Sequence, residues 1–324
     1  MEKELKIILQ MIKKKKVYNL NAIKEQRAAY LFLIPAFFGL SLITYIPLLM
    51  TFILGFTDLN VAHLMQSGTL DPVQFVGWDN FKNIFTDPRI DFLNSIQVTI
   101  RYSIIAVLGS IIYSMIIALL LNRKMPARGF FRAVFYVPYV LPTTATMITW
   151  YFLYNFDGGL INYFLVQLGF SKQYFLTSSD LVLQSLAVIA VWASGNLIVI
   201  FLAGLQNVPA VYHEAAEIDG AGFFRRFIHI TVPCMTPIIF YNLMMSLVIS
   251  IQIVIPALAV TSGGPGRSTM FMSFLLYSVA FRSREFGKAG AIAFVFFIVV
   301  AILAFILFAT SKKWIFYEGK DERK

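Results

Sequence analysis

The sequence predicts an all-α integral membrane protein with six transmembrane helices and both termini on the cytoplasmic side. Three observations predict it: a composition too apolar for a surface facing water all round, six long runs without charge, and an uneven division of Lys and Arg among the connecting segments. Hydrophobic residues make up 58% of the 324 residues and charged residues 14%, against about 25% charged in soluble domains. With 32 Phe and 15 Tyr, much of the surface has to face lipid.

The formal net charge is +10. A nucleic-acid binder would gather such charge on one soluble face. Here it lies between apolar runs, as expected for a cytoplasmic excess of basic residues. The lone Cys234 excludes an intrachain disulfide. The scattered His63, His213 and His229 give no zinc-binding cluster.

A bilayer core about 30 Å thick needs roughly 20 apolar residues per crossing helix. The charge-free runs 30–56, 102–121, 133–156, 181–205, 237–260 and 289–310 meet that requirement. They are continuous, not alternating, so they read as helices and not as barrel strands. The first run is too long for a signal-peptide core and is expected to stay uncleaved. Residues 1–29 form a basic cytoplasmic segment with eight Lys or Arg, of which 5–20 read as an amphipathic helix on the inner surface. Residues 30–93 hold the first span and an extracytoplasmic loop with Lys82 and Arg89 against five Asp. Within that loop, 76–90 carries Trp78, Phe81, Ile84 and Phe85 at helical spacing and reads as an outer interfacial helix. Residues 94–310 hold the other five spans and their connections. The connection after the second span holds Arg123, Lys124, Arg128 and Arg132, and the cytoplasmic tail 311–324 is again basic. Segment 261–288 runs against the pattern, with Arg267, Arg282, Arg284 and Lys288 outside. Pro35, Pro47, Pro138, Pro142 and Pro256 predict kinks within spans.

The connection between the fourth and fifth spans, 209–237, carries the most chemistry. Acids from Glu214 to Asp219 suit a helix start. Gly220 and Gly222 break that helix, and 223–231 is amphipathic. Pro233 and Pro237 are expected to limit this second short helix. A short surface helix with an acid at one end suits a groove on another protein.

The spacing Glu214-Ala215-Ala216, Gly220, Ile230 and Val232-Pro233, with Asp219-Gly220-Ala221, resembles the EAA loop of type I ABC importer permeases; Val for Leu at 232 is the departure. Gln252, Thr261, 263–265, Ser268, Thr269, Tyr277, Ala280, Phe281 and Gly287 resemble the stretch between the last two spans of maltose-type permeases, and 130–142 is also similar. The likeness covers about residues 94–310. The first span and its charged outer loop resemble the larger subunit of that family. The resemblance implies a coupling helix docked on a cytoplasmic ATPase, with Glu214, Ala215, Ala216, Asp219, Gly220, Ala221, Phe227, Ile230 and Pro233 at the contact. It also implies a second homologous permease, two ATP-binding cassette subunits that hold ATP and Mg, an extracytoplasmic solute-binding protein, and a bacterial plasma (inner) membrane location.

The chain itself is expected to hold no cofactor and no metal and to be no enzyme. Residues 263–269 mimic a phosphate loop but lack its Lys and its first Gly spacing. The spans contain no ionisable residue, which counts against a secondary transporter or proton pathway. No catalytic cluster suggests a membrane-embedded enzyme. Neutral polar and aromatic groups suit a sugar or oligosaccharide: Trp150, Tyr154, Trp192, Asn196, Asn242, Ser246, Ser250 and Gln252, with Gln252 and Asn196 foremost. A glycerol phosphate ester or another polar solute is the alternative cargo.

Overall fold

The computed structural model describes residues 25–61 and 72–316. The amphipathic segment 5–20 and the end of the basic tail lie outside the described residues. Among the described residues the chain is helical, with two isolated bridges, Thr57 to Phe75 and Asn60 to Glu285, in place of any strand.

Two compact units divide at Leu54. The first contains helix α1, Glu25–Leu54. A π-turn at Ser41–Tyr45 interrupts its α-helical bonding. Phe32, Ile43 and Ile53 are among its many exposed apolar side chains, as a lipid-facing helix requires.

The second unit is built round α3, Phe92–Asn122, about 46 Å long at 1.5 Å per residue. Its buried residues include a row of small ones, Ser95, Thr99, Ser103, Ala106, Ser110, Ser114 and Ala118, beside larger ones such as Tyr102 and Met115. Small side chains let neighbouring backbones approach, which drives helix association where lipid removes the hydrophobic incentive. The short helix α2, Asp79–Thr86, precedes it. Of the segment 76–90, expected as an interfacial helix, residues 79–86 are helical. Phe81 and Ile84 are buried against the last helix, with Phe81 edge-on to Phe294, while Trp78 and Phe85 stay exposed. Asn80 fixes the docking by donating to the carbonyls of Gly55 and Thr57 at 3.1 and 2.7 Å.

The third run forms two helices, α4 (Arg128–Val140) and α5 (Thr143–Leu153). The break lies at Leu141-Pro142: a residue before proline is pushed out of the helical region, and Leu141 is extended. After the short helix α6, Leu160–Gln167, the fourth run is also divided. Helices α7 (Val182–Trp192) and α8 (Gly195–Asn207) bend by 49° at Ala193-Ser194. The bend is held from both sides. Ser114 of α3 hydrogen-bonds the Ser194 hydroxyl at 2.9 Å. Gly195 packs on the α4 backbone so closely that a Cβ there would lie 2.7 Å from the Phe135 carbonyl.

Helix α9, Ala210–Ile218, leads to α10, Phe223–Ile251, one helix of 29 residues. This corrects the expectation that Pro233 and Pro237 limit a separate short helix. The helix passes both prolines by local repair. A π-turn at Phe227–Thr231 widens the backbone ahead of Pro233. The Pro233 carbonyl, deprived of its donor by Pro237, accepts the Thr236 hydroxyl at 2.7 Å instead. The fifth run is shorter than the apolar stretch 237–260: the helix stops at Ile251, and Ala257–Thr261 is a separate π-turn after Pro256. Helix α11, Met272–Arg282, and helix α12, Phe286–Trp314, complete the unit.

Four helices, α1, α3, α10 and α12, are long and apolar enough to cross a membrane, and the bent pair α7–α8 is so only when its two helices are taken together. Neither α4 nor α5 reaches crossing length alone. Three buried clusters fill the second unit: one round Tyr102, Tyr154, Leu186 and Phe271, one joining α2 to α12, and one round Met115, Phe201 and Met235.

Candidate functional site

The loop begins at Pro209, whose extended backbone starts α9. The end of α9 is a full Schellman motif. Gly220 N–H donates to Glu217 O at 3.0 Å and Ala221 N–H to Ala216 O at 2.9 Å. Gly220 has φ +74, the left-handed conformation that a Cβ disfavours. The glycine that the sequence marks as a breaker is therefore the residue that reverses the chain toward α10.

The arms of this turn are latched by an ion pair across it, Arg226 Nη1 to Glu217 Oε2 at 3.0 Å. Arg123, just beyond α3, lies with Cζ 5.5 Å from the Phe223 ring centroid and ties the loop to the core. Sequence spacing gave no warning of these contacts, because the first joins residues on opposite sides of a turn and the second joins residues 100 positions apart.

The nine predicted loop residues divide into two sets. Glu214, Ala215, Asp219 and Gly220 are exposed, and Ala216 and Ala221 are at most partly covered. Phe227, Ile230 and Pro233 are half-buried at the root of α10. The Glu214 side chain makes no hydrogen bond or ion pair among the described residues. Beside the exposed set stand large apolar side chains in the open: Ile218 at 88%, Phe224 at 76% and Val211 at 68% exposure. An acid without a partner and an apolar rim form a surface suited to a second protein.

The eight path residues also fall into groups. Trp150, Tyr154 and Trp192 form one aromatic cluster, with Trp150 centroid distances of 5.1 Å to Tyr154 and 5.5 Å to Trp192. Tyr154 is buried and donates to the Ser185 carbonyl. Asn242, Ser246 and Ser250 occupy one face of α10 at four-residue intervals and are buried. Ser250 donates to Leu247 O at 3.0 Å. Among the described residues, neither side-chain N nor O of Asn242, nor the Ser246 hydroxyl, has a hydrogen-bond partner. Leaving such groups unsatisfied costs about 1–3 kcal/mol each, so they are expensive as mere packing. Asn196 is half-buried on α8, and Gln252 is exposed at the end of α10. Among the described residues no hydrogen bond or ring contact joins either to the aromatic cluster.

A family described as "Binding-protein-dependent transport system inner membrane component" matches residues 110–315, a stretch that contains the whole loop and every path residue. The chain belongs to that family. The permease is thus a multi-pass membrane component of a type I ABC importer and not its ATP-binding subunit. It is 33% identical over 92% of its length to 95% of the "Probable ABC transporter permease protein YesP" of Bacillus subtilis. It is 31% identical over 74% of its length to 82% of the "Multiple sugar-binding transport system permease protein MsmF" of Streptococcus mutans. In fold it matches a chain of a bacterial ABC transporter involved in import of the acidic polysaccharide alginate, with a TM-score of 0.75 and 18% identity, over 90% of the permease and 98% of that chain.

Proposed function

We propose that this permease lines half of the translocation path of an ATP-driven importer for a sugar or oligosaccharide, and that residues 209–237 are its coupling loop. In this reading it crosses a bacterial inner membrane six times, α4 and α5 together making one broken crossing, with both ends cytoplasmic. A second permease, two ATPase subunits binding ATP and Mg, and an extracytoplasmic binding protein complete the assembly. The multiple-sugar name of one relative supports the cargo class, as do the neutral polar and aromatic groups on the path.

The observation that carries the reading is the continuity of α10. A single helix about 44 Å long joins the exposed loop at Phe223 to the buried polar face at Asn242, Ser246 and Ser250. A displacement at the loop end travels as a rigid-body motion to that face. Glu214 supplies the charged grip, and Ile218 and Phe224 supply the apolar contact. The unpartnered amide of Asn242 offers a donor and an acceptor to a sugar hydroxyl when the path opens.

The test is growth on a panel of single sugars. Deleting the permease should abolish growth on at least one of them, and the wild-type chain should restore it. Glu214→Lys should fail to restore it, with uptake at least about tenfold lower, because a docked ion pair broken on one side is costly. Restoration by Glu214→Lys at wild-type rate would remove the coupling role. Unchanged growth of the deletion strain on every sugar would remove the cargo class.

A further inference from the structure

A cavity of about 480 Å³ lies between the end of α3, the end of α8, α9 and the first turns of α10. Transport as read above makes no use of it. One wall is aliphatic and continues onto the open surface of α3, where Ile116 and Leu120 are 51% and 47% exposed. The other end is polar and lined by donors: Arg123, Arg226, His213 and Asn122. Among the described residues no Asp or Glu lines the cavity. Arg123 has an aromatic ring beside it and no carboxylate partner among the described residues.

We propose that this cavity binds an anionic phospholipid, with the phosphate held by Arg123 and Arg226 and an acyl chain laid along Ile116 and Leu120. The charge of the lining is positive: Arg123 has no carboxylate partner among the described residues, and Arg226 pairs through Nη1 with Glu217, which is not part of the lining. Basic pockets between membrane helices at the cytoplasmic face are suited to such headgroups. A free phosphate would use the polar end alone and leave the aliphatic wall wet. A lipid covers both with one molecule. Phe223 and Arg226 belong to the lever and Arg123 to the core, so a bound lipid clamps the two together and sets how readily the loop moves. Placement in the inner leaflet rests on the cytoplasmic position of 209–237 proposed above, whereas binding itself does not.

The experiment is native mass spectrometry of the purified full-length chain with equal amounts of phosphatidylglycerol and phosphatidylethanolamine. At about 1 kcal/mol for each basic residue near a headgroup, each arginine is worth about fivefold in affinity. Phosphatidylglycerol should therefore be retained at least about tenfold better. Arg123→Gln and Arg226→Gln should each lose about fivefold of that preference, while Arg123→Lys keeps most of it and shows that the fold survives. Equal retention of the two lipids would overturn the proposal, as would an unchanged preference in the double Gln variant. Displacement by excess inorganic phosphate would also overturn it, by showing a free-anion site. None of these readouts involves uptake, so the Glu214→Lys result and this one can fail separately.

Discussion

Two charged connections of the permease, 209–223 from α8 through α9 to α10 and 262–288 round α11, treat their acids in opposite ways. Round the second, every neighbouring acid is engaged. Arg267 reaches Asp91 at 3.3 Å, Arg89 reaches Asp87 at 2.8 Å, and Lys288 bonds Glu285 at 2.6 Å. Arg267 also donates to the Arg89 carbonyl at 2.6 Å, so it binds the start of α3 to the loop after α10. In the first, Glu217 is latched to Arg226, but Glu214 and Asp219 stand exposed without an ion pair among the described residues. Matched charge at 262–288 brings segments of this chain together. Unmatched charge at Glu214 is free for another chain, and no demand of this fold accounts for it. Two of the four basic residues that run against the positive-inside pattern, Arg267 and Lys288, are partners of local acids, while Arg282 lies over the Phe274 ring.

The largest effect that could break this comparison is functional. Glu214→Lys should lower uptake at least about tenfold while leaving the thermal midpoint of the purified chain nearly unchanged, since surface substitutions without partners shift stability little. A large loss of stability would mean that Glu214 has a partner within this chain and that the contrast is false.

Next comes Asn242, where stability and activity should part. Replacing its unpaired buried amide by Asn242→Leu, of similar volume, should raise stability by about 1–2 kcal/mol in denaturant unfolding. Uptake should fall severalfold, as expected where a site keeps unsatisfied groups for its ligand. A stabilised variant with full uptake would show that this face of α10 is packing alone.

Smaller still is Gly220→Ala. Nothing lies within 4 Å of a Cβ built there, so the only cost is the positive φ, about 1–2 kcal/mol. Hydrogen exchange of the amides at 220 and 221 should accelerate, because the Schellman bonds they make would loosen. Unchanged exchange would place the chain reversal elsewhere.

Much of this arrangement was legible in the chain, and the remainder has definite causes. The runs 30–56, 102–121 and 289–310 appear as long helices because hydrophobicity and length leave the backbone no other way to satisfy itself in lipid. The third run divides at Pro142, as prolines can be expected to do. The run through Pro233 and Pro237 does not divide, because a π-turn and the Thr236 hydroxyl supply what the prolines remove. Composition carries no sign of that repair. The fourth run bends at Ala193-Ser194 with no proline at all, fixed by Ser114 from a helix 80 residues away in sequence. Spacing places Asn242, Ser246 and Ser250 on one face but says nothing of the first two lacking partners. The Glu217–Arg226 latch depends on the direction in which Gly220 turns the chain, and a sequence pattern of breakers gives a turn without its direction.

The smallest predicted effect tests the matched side. Asp87 accepts a bidentate grip from the Arg89 guanidinium, 3.0 Å from Nε to Oδ1 and 2.8 Å from Nη2 to Oδ2, together with the Arg89 backbone N–H at 2.9 Å. Chiefly through the side-chain bonds, these contacts favour the ionised carboxylate and lower its pKa from 3.8 to about 2. A carboxylate with a lowered folded-state pKa binds fewer protons folded than unfolded between those values. Its contribution is complete above the unfolded value and is lost as pH falls from about 4 to about 2. The permease should therefore melt slightly higher than Asp87→Asn at pH 5, and the gap should close by about pH 2 in thermal unfolding of the purified chain. A gap of constant size across that range would mean that protonation of Asp87 does not release Arg89. The local bracing at the start of α3 would then belong to Arg267 and Asp91 alone.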